Sequence, residues 1–270
     1  HLVWLLRQAD GVFVQTRLER DTAVSLGVPP ERVHLQGLGV DAADCTGGDR
    51  GTARTSWGVD ADAGAVVVGP LANASEEKGT CDLLRAAERA WAAGHRFRVV
   101  LAGPEMPNFW AFWERYGPKH LVTRLGVLTD GAKRDFFAGI DALALPTRTD
   151  SFGLVLLEAW ANGKPNLVYR AGGPGELVRD GRDGLHARCG DLAGLAEQLG
   201  RLAADAALRR RLGGNGLTRV ASEFAWADKL QLVRNVIERS GRSPTASEGL
   251  MGSPADVRPP PRPPFTASAG

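Results

Sequence analysis

Leu145-Pro146-Thr147-Arg148-Thr149-Asp150-Ser151-Phe152-Gly153-Leu154-Val155-Leu156-Leu157-Glu158-Ala159 reads as a strand end, a polar loop and a helix start. The run Ala142–Leu145 is apolar on both faces, as a strand covered by helices on both sides must be. Gly153–Ala161 is rich in Leu, Glu and Ala and stops at Gly163-Lys164-Pro165. In an open parallel sheet, ligands sit beyond the carboxyl ends of the strands, where such loops lie. A helix start offers unpaired backbone N–H groups and a positive dipole end, which suits phosphate. Gly153 lets an anion approach the backbone closely. Asp150 stands just outside the helix and Glu158 about a turn and a half inside it. The two carboxylates can therefore bracket a ligand and accept hydrogen bonds from its hydroxyls. The plainer alternative is that Asp150 caps the helix and Glu158 is solvated.

Outward from this stretch the same unit repeats. Further strand-like runs are Gly11–Val14, Val66–Val68, Arg98–Ala102, Leu121–Val127 and Asn166–Tyr169. Leu83, Leu84, Ala87 and Trp91 recur at helical spacing before Gly94, a plausible cap. Leu192, Leu195, Leu199 and Leu202 do likewise behind Asp191, placed as an N-cap. Short doubly apolar strands alternating with helices predict an α/β fold, a Rossmann-like parallel sheet with helices on both faces. Three more loops at strand ends carry ligand-type residues. Gly69-Pro70-Leu71 is followed by Glu76-Glu77-Lys78-Gly79, where a lysine can meet phosphate as a point charge. Ala102-Gly103-Pro104 and Ala171-Gly172-Gly173-Pro174-Gly175-Glu176 complete the set.

Composition sets the outer limits. The chain has 270 residues with a net charge of +2, and 43% of them are hydrophobic. That balance lacks the basic footprint of a nucleic-acid binder, so no nucleic-acid partner is expected. No apolar run approaches a membrane span. Cys45, Cys81 and Cys189 lie far apart without metal-ligand spacing, and no metal site is expected. An odd cysteine count without a secretion signal fits a reducing compartment, so the cytoplasm is the default location. Asp60-Ala61-Asp62 matches a metal-binding D-x-D pattern, but it lies in a segment read as a linker and is taken as coincidence.

Taken together, the four loops resemble the donor-binding half of a GT-B glycosyltransferase, specifically of glycosyltransferase family 4, over about residues 1–240. Family members read as strand-Gly-Arg-Leu, Glu-Lys-Gly, Leu-Ala-Gly, a glutamate pair with seven residues between them around Phe-Gly-Leu, and Gly-Gly-x-x-Glu. Here these are Gly69-Pro70-Leu71, Glu77-Lys78-Gly79, Leu101-Ala102-Gly103, Asp150 to Glu158, and Gly172 to Glu176. The resemblance implies a nucleotide-sugar donor, UDP-, GDP- or ADP-linked, with no other cofactor and transfer with retention. It implies that Lys78 and Gly79 meet the donor diphosphate, and that Gly103 belongs to the same site. Backbone groups of Ser151, Phe152, Gly153 and Leu154 would hold phosphate and sugar. Glu158 would take the ribose hydroxyls, Asp150 the sugar ring as the catalytic-centre carboxylate, and the base would lie near Gly126, Val127 and Leu128. Two positions depart from the family. Pro70 replaces a diphosphate-binding arginine, for which Arg148 or Arg170 are candidates to compensate, and Asp150 is one methylene shorter than glutamate.

The expected organisation follows. Residues 1–40 read as the end of a first domain, 41–64 as an interdomain linker, 65–223 as the donor-binding domain, 224–240 as a helix crossing back, and 241–270 as a disordered proline-rich tail. The chain begins at His1 and reads as a fragment or processed product whose first domain is largely missing. The acceptor site would then come from that domain or from a separate chain, and any peripheral membrane contact would belong to it as well. A non-catalytic nucleotide-sugar-binding module, or a decayed homologue, is the alternative that Pro70 and Asp150 leave open. A sugar-nucleotide epimerase shares the fold, but the Asp150–Glu158 spacing and Glu77-Lys78-Gly79 fit the transferases better. The aromatic run Phe109-Trp110-Ala111-Phe112-Trp113 is expected to cover the sheet or face the absent domain.

Overall fold

The computed structural model describes residues 1–59 and 64–241. Asp60-Ala61-Asp62 and the proline-rich tail from 242 onward lie outside the described residues. The chain opens with α1 (Leu2–Gln8), β1 (Val12–Val14), α2 (Arg17–Ser25) and β2 (Val33–Leu35), and β1 and β2 pair in parallel as a small sheet of their own. Val14, Ala23, Val28 and Val33 form its modest core. Two short helices follow, α3 (Ala42–Cys45) and α4 (Arg50–Ser56).

The large sheet is built by β3 (Val66–Gly69), β4 (Phe97–Leu101), β5 (Val122–Arg124), β6 (Ala142–Leu145), β7 (Asn166–Tyr169) and β8 (Gly184–Ala187). Its helices are α5 (Thr80–Ala92), α6 (Pro107–Trp113), α7 (Asp130–Gly139), α8 (Leu154–Ala161), α9 (Gly172–Leu177), α10 (Leu192–Ala204) and α11 (Ala206–Glu223), and α12 (Trp226–Arg239) closes the described chain. The strand order is β5-β4-β3-β6-β7-β8, parallel throughout. The order reverses between β3 and β6. Loops leaving these two neighbours turn to opposite sides and open a crevice at their carboxyl ends, the switch point where ligands bind in such sheets.

Burial on both faces explains the strand composition. Val66–Gly69, Ala142–Leu145 and Asn166–Tyr169 are buried at every position. One face packs under α5, α10 and α11, with Leu83, Leu84, Leu199 and Leu212 fully enclosed. The other packs under α4, α7 and α8, with Trp57, Phe136, Leu156 and Trp160. The expected Arg98–Ala102 strand is shifted by one residue, and Leu121–Val127 shrinks to Val122–Arg124 because Gly126 (φ 65°) turns the chain away.

Residues 41–59 of the segment read as a linker carry α3 and α4 and pack against the large sheet. Asp41 and Asp49 cap α3 and α4, accepting from Ala43 N (2.9 Å) and Thr52 N (2.5 Å). Arg54, buried, donates to the carbonyls of Gly139 and Ala65 (2.9 Å each) and pairs with Asp141 (2.5 Å). The Trp57 ring lies where any side chain at Gly139 would stand. The aromatic run is partly buried. Phe109 is enclosed and Trp113 nearly so, whereas Trp110 stays half-exposed beneath the Arg124 guanidinium, 4.7 Å from its ring.

Candidate functional site

The loops after β3 and β6 meet at the switch point. Lys78 Nζ lies 2.7 Å from Asp150 Oδ2, the lysine side chain 30% and the carboxylate 18% exposed. The two loops are laced by backbone as well. Arg148 N donates to Glu77 O (3.0 Å), and so does Thr147 Oγ1 (3.3 Å). Gly79 sits at φ 73°, and a β-carbon there would collide with the Pro146 carbonyl, so glycine is required twice over. The loop after β7 closes the set. Gly173 N donates to Asp150 O (2.9 Å), and a side chain at Gly173 would strike the Ser151 carbonyl.

Asp150 is not the cap of α8. That position belongs to Gly153 in a left-handed conformation, with no side-chain acceptor for the first-turn N–H groups. The positive end of α8 is thus left open toward the crevice. Asp150 Oδ1 instead accepts from Phe152 N (3.3 Å), which fixes its carboxylate beside Lys78. Nor is Glu158 solvated, being only 7% exposed. Lys133, from the first turn of α7, donates to Glu158 Oε1. Burial pushes the Glu158 carboxyl above its ordinary range, and Lys133 opposes that shift.

The remaining expected positions distribute around this centre. Ser151 and Leu154 are exposed at the rim, whereas the Phe152 ring is buried near Phe224, so only its backbone is offered outward. Gly103 N donates to Gly126 O (2.7 Å), which joins the β4 loop to the segment carrying Val127, itself 75% exposed. Neither arginine proposed to replace the missing cation at Pro70 is positioned for it. Arg148 pairs with the buried Asp82 (2.5 Å), and Arg170 stands with Asp180 (3.8 Å).

Two residues escaped the reading of the sequence as partners. Lys133 faces Glu158 only through the packing of α7 on the same sheet face as α8, a contact 25 residues away in the chain. Glu176 accepts from Arg17 N (2.8 Å) and Leu18 N (3.1 Å), capping α2 and binding the small sheet to the large one. Its place in Gly172–Glu176 was visible, but its partner was not.

A family model described as "Glycosyl transferases group 1" matches residues 63–205. The chain belongs to this family. Among curated relatives of this group 1 glycosyltransferase are the D-inositol 3-phosphate glycosyltransferases of Actinosynnema mirum and Stackebrandtia nassauensis. They are 32% identical over 237 residues and 30% identical over 259. The alignments take in 82% and 90% of this chain but only 55% and 58% of those proteins. The chain thus spans about half the length of the curated relatives it matches. Anabaena Alr3699/HepE, solved in complex with UDP and glucose, superposes with a TM-score of 0.76 at 23% identity, over 87% of this chain and 65% of that one. A C-terminal domain of the group 1 protein LpcC from Francisella tularensis superposes with a TM-score of 0.59 at 21% identity, over 69% of this chain and 99% of that one. At such identities the structures speak for the fold, which is the GT-B type. Among the described residues no helix is long and apolar enough to cross a membrane.

Proposed function

We propose that this chain carries the donor site of a nucleotide-sugar-dependent glycosyltransferase of family 4, acting with retention. The observation behind the reading is the convergence, at the β3/β6 switch point, of Lys78, Asp150, the uncapped start of α8 and Glu158. A nucleoside diphosphate has complementary parts in the same order. Lys78 with Gly79 and the N–H groups of Ser151 to Leu154 would meet the diphosphate. Glu158 would accept from the ribose hydroxyls, and the base would lie over Gly103 and Val127. Asp150 would face the sugar ring.

In the transfer the bond between the anomeric carbon and the diphosphate oxygen breaks. A bond to the acceptor hydroxyl oxygen forms, and that hydroxyl gives up its proton to the departing diphosphate. Negative charge grows on the departing diphosphate, where Lys78 and the α8 dipole would be felt most. The UDP complex of the HepE neighbour supports UDP as the first donor base to test, ahead of GDP and ADP. We assign the acceptor to polypeptide beyond this chain, in keeping with the partial coverage of its relatives. All three cysteines are free, which supports a cytoplasmic setting.

Calorimetric titration of the chain with UDP, GDP and ADP tests the reading. One base should bind saturably, and Lys78→Ala and Glu158→Ala should each weaken it by about 1–3 kcal/mol. Equal affinity in both variants would mean the site lies elsewhere. Pro70 favours a second reading, a module that binds nucleotide sugar without transferring it. Slow release of free sugar from a bound donor would separate the enzyme from the module, which releases none.

A further inference from the structure

Glu158 is a buried carboxylate with an unequal environment. Its Oε1 accepts from Lys133 Nζ, and Oε2 has no hydrogen-bond partner among the described residues. The titratable and charged groups around it are few. Lys133 comes from α7, and the Cys45 thiol comes from α3. Asp41 and Asp44 stand behind that thiol, in the segment that joins the two sheets. Burial, then the charge of Glu158, pushes the Cys45 thiol up to about 11, so it stays neutral. Asn162 Nδ2 donates to the carbonyls of both Cys45 and Glu158 (2.9 Å each), which pins α3 against the helix that carries the carboxylate. Lys133 is therefore the one cation bonded to Glu158 among the described residues.

We propose that Lys133 is a positioning residue, holding Glu158 ionised and turned so that Oε2 faces the ligand's vicinal hydroxyls. The proposal rests on the donor-site reading above. Its chemistry follows from acceptor capacity. A carboxylate accepts through both oxygens, so one can stay with Lys133 while the other takes a hydroxyl proton. A neutral carboxyl presents an O–H donor and loses part of that capacity. Burial favours the neutral form here, and the ammonium group opposes it. Removing Lys133 therefore moves the Glu158 titration further upward. Ligand affinity would then fall as pH falls, while at alkaline pH the carboxylate re-ionises and the loss shrinks. A lysine that only filled space would give a loss without that pH dependence.

The test uses the full chain with Lys133→Met, Lys133→Arg and Glu158→Gln. Carboxyl-carbon NMR on glutamate-labelled protein follows each titration, with Glu158→Gln assigning the resonance. In parallel, UDP, GDP and ADP binding is measured from about pH 5.5 to about pH 8.5, either side of the histidine range. Lys133→Met should raise the Glu158 titration and weaken nucleotide binding more at the acid end of that range than at the alkaline end. Lys133→Arg should return both readouts toward wild type, since the cation is retained. An unmoved titration, or a loss of equal size at every pH, overturns the proposal. Wild-type affinity in Glu158→Gln overturns the donor-site reading instead. Weak binding by Glu158→Gln beside wild-type behaviour of Lys133→Met overturns only the role of Lys133. Should Lys133→Met melt early, the arginine variant and Lys133→Gln carry the same comparison.

Discussion

The Lys78–Asp150 pair places the cation we assign to diphosphate 2.7 Å from the carboxylate we assign to sugar. Each neutralises the other, so a phosphate arriving at Lys78 would meet a half-screened charge. Asp150→Asn keeps the shape and removes the competing charge. We expect UDP to bind that variant about two- to fivefold more tightly, the scale of a part-exposed ion pair. Sugar transfer or donor hydrolysis should drop at the same time. Weaker UDP binding by Asp150→Asn would mean that Lys78 does not meet the phosphate. The motif residues of this loop were legible in the sequence because backbone chemistry dictates them. Gly79 and Gly173 are glycine because neighbouring carbonyls leave no room for a side chain. Lys133 was not legible, because α7 contains nothing that names its partner on α8 and only the shared sheet face brings the two together.

Among the elements, legibility followed burial. Ala142–Leu145 and Asn166–Tyr169 were read to the residue because both faces are covered and Pro or Gly bounds them. β8 and β2 were missed because each is an edge strand with mixed exposure, His186 and His34 breaking the apolar run. The helices α3 and α4 were missed because four and seven residues give too little period to detect. α4 is nonetheless firmly anchored. Its Arg54 meets Asp141, whose carboxyl also accepts from Val67 N (2.7 Å) and pairs with Arg50 (2.7 Å). Burial resists ionisation of Asp141, but the Val67 N–H and the two guanidinium groups prevail and hold its carboxyl below the ordinary range. Its stabilisation is therefore complete above the unfolded-state value of about 3.9 and is lost as pH falls through the lower folded value. Arg54→Met should cost less than the roughly 3–5 kcal/mol of a fully stranded buried pair, because Arg50 and the Val67 N–H stay on Asp141. Asp141→Asn should flatten the acid limb of a melting-temperature profile below about pH 4. A profile in Asp141→Asn as steep as wild type would assign that limb to other carboxylates.

At the scale of the molecule, α1 and α12 each carry a group of uncovered apolar side chains. Leu2, Trp4 and Leu5 are 79%, 63% and 56% exposed, and Trp226, Leu230 and Ile237 join them on α12. Neither helix has a buried residue. Such surface drives self-association at raised concentration. Leu2→Glu combined with Leu5→Glu should reduce the mass measured by light scattering without lowering the melting temperature, because no core contact is lost. Unchanged association would move attention to α12.

The docking of residues 41–59 against α7 and α8 also bears on recombination of this protein with its relatives. A joint at Gly64, where the large sheet begins, would remove Cys45, Ala53 and Trp57 and strip the sheet of its own lining. A graft made upstream of Asp41 carries that lining with it. Hybrids that exchange the sequence upstream of the seam should tolerate the second seam and unfold at the first.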